Sequence, residues 1–230
     1  MTLVIGHRTC AGYAPENSLT GIERAPGLGA DMVEVDVRRA LDGTPVLMHD
    51  AVPVRLTRWP LPVRWTPLWV WRRLRVRDDG RPPTFGEALA ALPEGLGVAV
   101  DLKDAGAGPA ALAEVRRRGL DGRVLLWVRD PAAVRWLADH APHIEHTLLR
   151  DSRTDDDHRR YLDDAIACGA GGVSLHQSAV VPWVLDEARA RGLSVYAWLQ
   201  TEAEHDRLAG AALDGVVTDW PTLARPRFPE

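Results

Sequence analysis

Two short acidic segments could bind a divalent cation if they form neighbouring strands. Glu34 and Asp36 lie in MVEVDVR, and Asp101 and Lys103 lie in GVAVDLK. Side chains alternate between the two faces of a strand, so the acids and the lysine share one face and the apolar residues share the other. Three carboxylates and one lysine leave negative charge, which a hard ion such as Mg²⁺ or Ca²⁺ can neutralise through oxygen ligands. A structural network of salt bridges is the alternative interpretation.

Two histidines are predicted to lie where apolar strands end. His7 ends VIGH, and His49 follows the apolar part of PVLMHD. Two imidazoles that titrate near neutrality can remove a proton from a nucleophile and donate one to a leaving group. One such histidine alone usually makes a hydrogen bond at the rim, so it is the pair that indicates acid and base chemistry.

Two cations accompany the histidines and acids. Arg8 directly follows His7, and Lys103 is the only lysine in a chain that otherwise uses arginine. Both can bind an anionic group, and a metal ion with Arg, Lys and two His suits phosphoryl chemistry. A salt bridge from Lys103 to Asp101 or Glu34 is the structural alternative, and it is compatible with the first.

The elements that position these residues alternate along the chain. Short apolar runs are separated by amphipathic ones, which predicts parallel strands joined by helices. Strands are predicted at 3–7, 32–38, 45–50, 97–103, 123–129, 146–149, 171–175, 194–199 and 215–219. Helices are predicted at 109–118, 131–140, 156–168, 182–191 and 202–213. Gly119, Gly169 and Gly192 stand where a glycine often ends a helix.

These elements predict an α/β protein with a TIM-type (β/α)8 barrel. A length of 230 residues with 46% apolar composition fits one domain, 1–230, better than two small ones. Nine predicted strands compete for eight places in the barrel. Segments 32–38 and 45–50 are joined only by RALDGT, which is too short for a crossover helix. The barrel is therefore irregular around the second and third strands, with either a hairpin or two parallel strands lacking a helix.

Residues 51–83 differ from the rest in composition. The segment contains Trp59, Trp65, Trp69 and Trp71, and seven arginines precede its first acid, Asp78. Its prolines disfavour a regular helix or a central strand, so we predict a loop-rich insertion that caps the barrel mouth. Packing of that cap is the favoured role of the tryptophans. The alternative is peripheral lipid contact through 59–77, with arginines on anionic headgroups.

Composition also excludes some classes of protein. A formal net charge of −4 argues against a nucleic-acid-binding domain. Cys10 and Cys168 are too few for a disulfide framework and lack metal-ligand spacing, so both are predicted to be reduced thiols. The first predicted strand begins at Leu3, which leaves no room for a signal sequence, and no run reaches the roughly 20 apolar residues of a membrane span. We therefore expect a cytoplasmic protein without a transmembrane segment.

Motifs along the chain resemble those of the glycerophosphodiester phosphodiesterases, a family of phospholipase-C-like TIM barrels. HRTCAGYAPENS is similar, position for position, to the family's opening H-R-G-x-x-x-x-x-P-E-N-T. GADMVEVDVRRALDGTPVLMHD resembles its E-x-D strand, D-G turn and H-D strand. RPPTFGEAL, VAVDLK and LDGVVTDWP resemble P-T-L-x-E-x-L, a strand with an acid two before a lysine, and D-G-I-x-T-D-x-P. The resemblance runs from Ile5 to Pro221 in the family's order.

The resemblance implies metal-dependent hydrolysis of glycerophosphodiesters to an alcohol and sn-glycerol 3-phosphate. It implies Mg²⁺ or Ca²⁺ on Glu34, Asp36 and Asp101, catalysis by His7 and His49, and substrate phosphate at Arg8 and Lys103. Glu16 is implied as a further metal-side acid or as an orienter of the first histidine. Helix N-terminal charge beside Asn17 and Ser18 caps explains Glu16 nearly as well. Trp198 is a supporting candidate, and Tyr13, Trp198 and Asp219 either line the pocket or serve packing and capping.

Four departures from the family pattern are visible. Thr9 stands where the family usually has glycine, so the loop is expected to avoid torsions that favour glycine. Asp101 replaces the more usual glutamate, which is expected to shift the metal preference or weaken binding. Pro26 interrupts the first helix, and AWLQ at 197–200 replaces Trp-Thr-x-Asn.

Two other functions stay open at this point. One keeps the site but acts on lysophospholipids, as a lysophospholipase D does, with the insertion on lipid. The other is a non-catalytic barrel that binds phosphate compounds, with its ion site weakened by Asp101.

Overall fold

Nine β-strands form one sheet in the computed structural model, which describes residues 1–76 and 80–229. The strands are β1 (Leu3–Gly6), β2 (Met32–Arg39), β3 (Pro45–Leu47), β4 (Gly97–Leu102), β5 (Val124–Val128), β6 (Glu145–Leu149), β7 (Gly172–His176), β8 (Ser194–Trp198) and β9 (Gly215–Thr218). The α-helices are α1 (Leu19–Arg24), α2 (Val54–Thr57), α3 (Leu68–Trp71), α4 (Phe85–Ala90), α5 (Gly108–Arg117), α6 (Pro131–His140), α7 (Asp155–Cys168), α8 (Pro182–Ala190), α9 (Glu202–Leu208) and α10 (Pro221–Ala224). Short 3₁₀ helices cover Pro26–Leu28, Val63–Trp65, Ala105–Ala107, Asp121–Arg123 and Gln177–Ala179.

Eight of the strands close a parallel barrel. They follow the order β1-β9-β8-β7-β6-β5-β4-β2, and β1 pairs in parallel with both β9 and β2. The ninth strand, β3, is antiparallel to β2, with Val37 opposite Leu47. The predicted TIM-type barrel with an irregularity at its second and third strands is confirmed. RALDGT therefore connects the two strands of a hairpin, and Gly43 in its turn has a φ of 88°.

The alternation of side chains along β2 and β4 is as the sequence predicts. Apolar residues of one parity pack under the helices, namely Val33, Val35, Val37, Val98, Val100 and Leu102. A second cluster fills the barrel interior and consists of Ile5, Met32, Ala99, Trp127, Leu149, Tyr196 and Val217. Ala99 has the same parity on β4 as Asp101. The acids of β2 and β4 therefore project into the barrel on the side opposite the helices.

Most predicted helices match within two residues, and one does not. The helix predicted at 202–213 is α9, which ends at Leu208 because Ala209 turns extended, with ψ of 127°, and Gly210 has φ of 77°. Gly169 ends α7 in the left-handed region, as predicted. Pro26 does interrupt the first helix: α1 ends at Arg24 and a 3₁₀ turn follows.

The insertion predicted at 51–83 packs on the β2–β3 hairpin. Residues 77–79 lie outside the described residues, and 51–76 contain α2, α3 and the turn Val63–Trp65. Trp71 and Val63 are fully buried in a cluster with Val46 and Met48 of the hairpin region. The packing role predicted for the tryptophans is therefore confirmed for Trp71.

The loop after β1 departs from its expected backbone. Arg8, Thr9 and Cys10 have φ of 44°, 62° and 65°, so the expectation that a non-glycine at position 9 avoids such torsions is wrong. Hydrogen bonds offset the cost of this conformation. The backbone N–H of Thr9 donates to the Glu34 carbonyl at 2.9 Å, and its Oγ1 accepts from the N–H of Ser18 at 3.0 Å.

Both cysteines are buried free thiols, as predicted. Burial, reinforced by the charge of Asp219, raises the pKa of the Cys10 thiol to about 12, so it stays protonated and unreactive at neutral pH.

Among the helices in the described part of the chain, none is both long and apolar enough to cross a bilayer.

Helix α1 supports the loop through Gly21, which yields a stability prediction. A Cβ at Gly21 would lie 2.0 Å from the Thr9 backbone oxygen, so Gly21→Ala must displace the loop. We expect the free energy of unfolding in urea to fall by about 1–3 kcal/mol. Gly27→Ala is the matched control, since nothing lies within 4 Å of its Cβ and its stability should be unchanged or slightly higher. Equal stability of the two variants would show that α1 does not hold the loop.

Candidate active site

One cavity collects the residues selected from the sequence. It has a volume of about 260 Å³ and lies at the carboxyl ends of the barrel strands, the face on which barrel enzymes build their active sites. Its lining consists of His7, Arg8, His49, Asp101, Lys103, Arg129, Leu149, Arg150, Asp151, Ser174, His176 and Trp198. A larger depression of about 520 Å³ lies beside Met32, Gly97 and Val124 at the opposite end of the barrel and is lined by no histidine. Both histidines predicted from the sequence therefore line the smaller cavity.

Three buried carboxylates lie close together, and one of them, Asp101, lines this cavity. Pairing of β2 with β4 places Asp36 opposite Asp101. Glu34 lies two residues before Asp36, on the same face of β2. One oxygen from each acid lies within 4.8 Å of the others. Glu34 Oε1 and Asp101 Oδ1 are buried and have no hydrogen-bond partner in the described part of the chain. Buried carboxylate oxygens without donors are costly, so this oxygen-only set fits a hard divalent cation.

The pKa values of the acids reflect an incomplete charge balance. Burial, with the charges of Asp36 and Asp101, holds the pKa of Glu34 well above its usual range. Burial also raises the pKa of Asp101, despite the opposing charge of Lys103. For Asp36 burial acts in the same sense, but Lys103 and a hydrogen bond from Asn17 outweigh it and lower the pKa.

Lys103 bridges two of the acids and does not reach the third. Its Nζ lies 2.9 Å from Asp36 Oδ1 and 2.5 Å from Asp101 Oδ2. Arg8 adds an ion pair from Nε to Asp36 Oδ2 at 3.5 Å. The salt-bridge network considered as an alternative is thus present. Among the residues that the structure describes, however, it leaves Glu34 with a single hydrogen-bond donor to its carboxylate, the backbone N–H of Arg8 at 2.7 Å from Oε2. If all three acids are ionised, the charges of Lys103 and Arg8 together do not neutralise them, and the cluster stays negative.

His7 is held against the acidic cluster by a carboxylate from the other end of the chain. Its Nδ1 donates to Asp219 Oδ1 at 2.7 Å, because an ionised carboxylate can only accept. Its Nε2 lies 4.0 Å from Glu34 Oε2. The ring meets Trp198 edge to face, with centroids 4.9 Å apart. The imidazole is therefore fixed with Nε2 directed toward the acids.

His49 has its own carboxylate, which an arginine holds in turn. Its Nδ1 lies 2.9 Å from Asp50 Oδ1, and Arg55 Nε donates to Asp50 Oδ2 at 2.8 Å. The guanidinium of Arg38 donates to the carbonyl of His49 at 2.7 and 3.0 Å. Burial opposes ionisation of Asp50, but Arg55 and His49 outweigh it and lower its pKa. Two imidazoles, each with a carboxylate partner, thus line the same cavity.

Glu16 does not belong to the acidic cluster and has no contact with His7. It accepts from Arg55 at 2.6 Å and from Arg8 at 3.3 Å, so it links the two arginines. Ser18 caps α1 as predicted, since its Oγ accepts from the Gly21 N–H. Asn17 is not a cap: its amide donates to Asp36 Oδ2 at 2.8 Å and accepts from the Asp36 N–H at 2.9 Å. Asn17 is therefore a support of the acidic cluster that the sequence analysis took for a cap.

Other cavity residues were not predicted from the sequence, although their positions at strand ends could have indicated them. Arg129, Arg150 and His176 each end or directly follow a predicted strand, as His7 does. The guanidinium of Arg129 makes no hydrogen bond or ion pair with any residue that the structure describes. Of the three pocket candidates, Trp198 lines the cavity. Asp219 binds His7 behind it, and Tyr13 packs on Trp220 outside it.

The insertion reaches the site only indirectly. None of residues 51–76 lines the cavity, and the segment touches the site through the bonds of Arg55 to Asp50 and Glu16. Capping of the barrel mouth by 51–83 stays a prediction.

Known proteins share both the sequence pattern and the fold. The model of the glycerophosphoryl diester phosphodiesterase family matches residues 7–223. A glycerophosphodiester phosphodiesterase of Caldanaerobacter subterraneus is 24% identical, with 96% of this chain and 95% of that protein covered. The structure of a glycerophosphodiester phosphodiesterase from Agrobacterium tumefaciens has a TM-score of 0.85 at 22% identity and covers 99% of both chains. A phosphodiesterase of Oleispira antarctica, solved in complex with the product sn-glycerol-3-phosphate, has a TM-score of 0.87 at 23% identity and covers 99% of this chain and 96% of its own.

Glu34→Gln separates an ion site from a purely structural network. A raised carboxyl pKa means that wild-type stability declines as pH rises from the usual range of glutamate through the raised value. In chelator, the glutamine variant should therefore be more stable by about 1–3 kcal/mol at pH 8, with a smaller gain at pH 5. Added Mg²⁺ or Ca²⁺ should raise the thermal midpoint of the wild type and leave the variant unchanged. A less stable variant, with no ion effect on the wild type, would identify a structural network instead.

Proposed function

The chain belongs to the glycerophosphoryl diester phosphodiesterase family, and from that premise we propose that the cavity at the carboxyl ends of its strands is the active site. One observation carries the proposal: two carboxylate-anchored histidines line the same 260 Å³ cavity as Arg8, Lys103 and Asp101, and Asp101 belongs to the acidic cluster. The reaction is hydrolysis of a glycerophosphodiester to an alcohol and sn-glycerol 3-phosphate. The product bound to the Oleispira antarctica relative supports this pair of products. Residues 1–230 act as one catalytic domain.

Glu34, Asp36 and Asp101 are the residues that would hold a divalent cation, Mg²⁺ or Ca²⁺. Such an ion supplies positive charge next to the phosphate oxygens, which reduces the repulsion between a diester and its nucleophile. The two buried oxygens without partners support this assignment. Asn17, Lys103 and the backbone N–H of Arg8 bind the remaining lone pairs and hold the three acids in place.

His7 and His49 exchange protons with the substrate. One removes the proton from the attacking water or glycerol hydroxyl, and the other protonates the departing alcohol oxygen as the P–O bond breaks. If the glycerol hydroxyl attacks, a cyclic phosphate forms, and water then opens it to give sn-glycerol 3-phosphate. Asp219 and Asp50 orient the two rings and stabilise each imidazolium when it forms. Arg8 and Lys103 bind phosphate oxygens, and Arg129 adds a cation with no carboxylate partner in the described ranges.

The lining of the cavity favours a small, deacylated substrate. Only Leu149 and Trp198 of its lining residues are apolar, and charged or polar groups make up the rest. A fatty acyl chain would find little apolar surface there, so a lysophospholipid would have to leave that chain outside. Both histidines and all three acids of the family pattern are present. A barrel that only binds phosphate compounds would be expected to have lost some of them, so their presence favours an enzyme.

Release of glycerol 3-phosphate from glycerophosphocholine is the direct assay. His7→Ala and His49→Ala are each expected to lower kcat by roughly 10²–10⁴-fold, because each removes a proton-transfer group. Chelator should abolish turnover, and added Mg²⁺ or Ca²⁺ should restore it. His143→Ala is the matched control, since His143 is exposed, pairs with Asp121 outside the cavity and should retain full activity. Full activity of the His7 or His49 variant would refute its assignment.

Substrate size provides a second test. Without detergent, kcat/KM for glycerophosphocholine or glycerophosphoethanolamine should exceed that for the acyl-bearing lysophospholipid at least tenfold, because Leu149 and Trp198 alone offer the acyl chain little apolar contact. A preference for the acyl-bearing substrate in the same assay would instead support lysophospholipase D activity.

A further inference from the structure

The outer side of the insertion exposes an unusual set of apolar side chains. Nine large apolar residues are exposed among those the structure describes, and four of them lie between 54 and 69, namely Val54, Leu61, Trp65 and Trp69. Trp65 is 55% exposed and Trp69 is 64% exposed. Leu41, 58% exposed, lies beside them on the hairpin turn, where its N–H donates to the carbonyl of Thr66.

The segment has one inner and one outer side. Val63, Thr66, Trp71 and Leu74 are buried, and the inner side packs on the hairpin. Exposed residues alternate with these buried ones along the same stretch. Trp65 and Trp69 are therefore not part of the buried cluster that contains Trp71. Both lie in the same short segment, four residues apart.

The exposed part of the insertion is strongly basic. Residues 51–76 contain six arginines and no acid, in a chain whose net charge is −4. Only one of the six, Arg55, makes an ion pair with a carboxylate in the described residues. The other five are exposed without such a partner: Arg58, Arg64, Arg72, Arg73 and Arg75. We call these five arginines, with Val54, Leu61, Trp65 and Trp69, the Trp–Arg surface.

Arginine and tryptophan are interleaved within this surface. The guanidinium of Arg64 lies 4.9 Å from the ring centroid of Trp65, and that of Arg73 lies 5.4 Å from that of Trp69. Each exposed tryptophan thus has a cation beside it. A phospholipid interface offers the complement to both groups, since indole rings partition to the headgroup level and guanidinium groups bind phosphate.

We propose that the Trp–Arg surface docks the protein onto membranes that contain anionic phospholipid. Charge complementarity selects anionic lipid, and the two tryptophans add apolar contact at the headgroup level. None of these residues lines the catalytic cavity, so the proposal is independent of the catalytic assignment. It also gives Arg55 a connecting position, because this residue links the insertion to Asp50 beside His49.

Co-sedimentation with vesicles tests the proposal. The full chain should bind phosphatidylcholine vesicles containing one-third phosphatidylglycerol at least tenfold more tightly than pure phosphatidylcholine vesicles at 50 mM salt, and 500 mM salt should weaken this binding. Trp65→Ala combined with Trp69→Ala, and Arg64→Gln combined with Arg73→Gln, should each weaken binding at least tenfold. Ile166→Ser and Arg189→Gln are controls for an exposed apolar residue and an exposed arginine on other helices, α7 and α8. Both should bind as the wild type does.

Hydrolysis of glycerophosphocholine in solution and the thermal midpoint should be the same in all four variants as in the wild type, which separates docking from catalysis and from misfolding. Absence of binding to anionic vesicles at 50 mM salt would overturn the proposal. Wild-type binding by the Trp65→Ala/Trp69→Ala variant would do so as well. Self-association in solution that this variant abolishes, or tighter binding to single-stranded RNA than to vesicles, would assign the surface to a different partner.

Discussion

The repulsion among three buried carboxylates is the constraint to which the rest of the site responds. Glu34, Asp36 and Asp101 are brought together by the pairing of β2 with β4, and all three are buried. Asn17 and the Arg8 backbone donate from the loop after β1, and Lys103 donates from the end of β4. The left-handed backbone at residues 8–10 is tolerated because it delivers one of these donors. The cost of burying these acids is thus offset by donors from two different parts of the chain.

The alternation of β2 and β4 predicted the acidic cluster, because inward and outward faces are a local property of each strand. The barrel followed from the order of the elements for a similar reason. The local sequence pattern could not predict how the two segments joined by RALDGT pair. A short connection permits either a hairpin or two parallel strands, and the pairing of β2 with other strands determines which one forms. The backbone torsions of Thr9 could not be predicted from the sequence either, because they are favoured by its hydrogen bonds with Glu34 and Ser18.

Partners that are distant in sequence were the least predictable part of the site. Asp219 was noted only as a pocket or packing residue, and its bond to His7 depends on the closure of β1 against β9. Asn17 looked like a cap because the Ser18 next to it is one, and its contact with Asp36 depends on the path of the loop. The Trp/Arg composition of the insertion was evident, but which tryptophans are buried depends on packing against the hairpin. Trp71 is buried and Trp69, two residues earlier, is exposed.

Closure of the barrel between β1 and β9 has a consequence for the order in which the protein matures. His7 and Asp219 are separated by 212 residues, and β9 lies near the end of the chain. A polypeptide still emerging from the ribosome can fold earlier elements, but His7 has no carboxylate to orient it until the final strand has been synthesised and has docked. The imidazole of His7 is therefore oriented only after β9 has docked against β1, and a chain in which β9 has not docked leaves His7 without this partner.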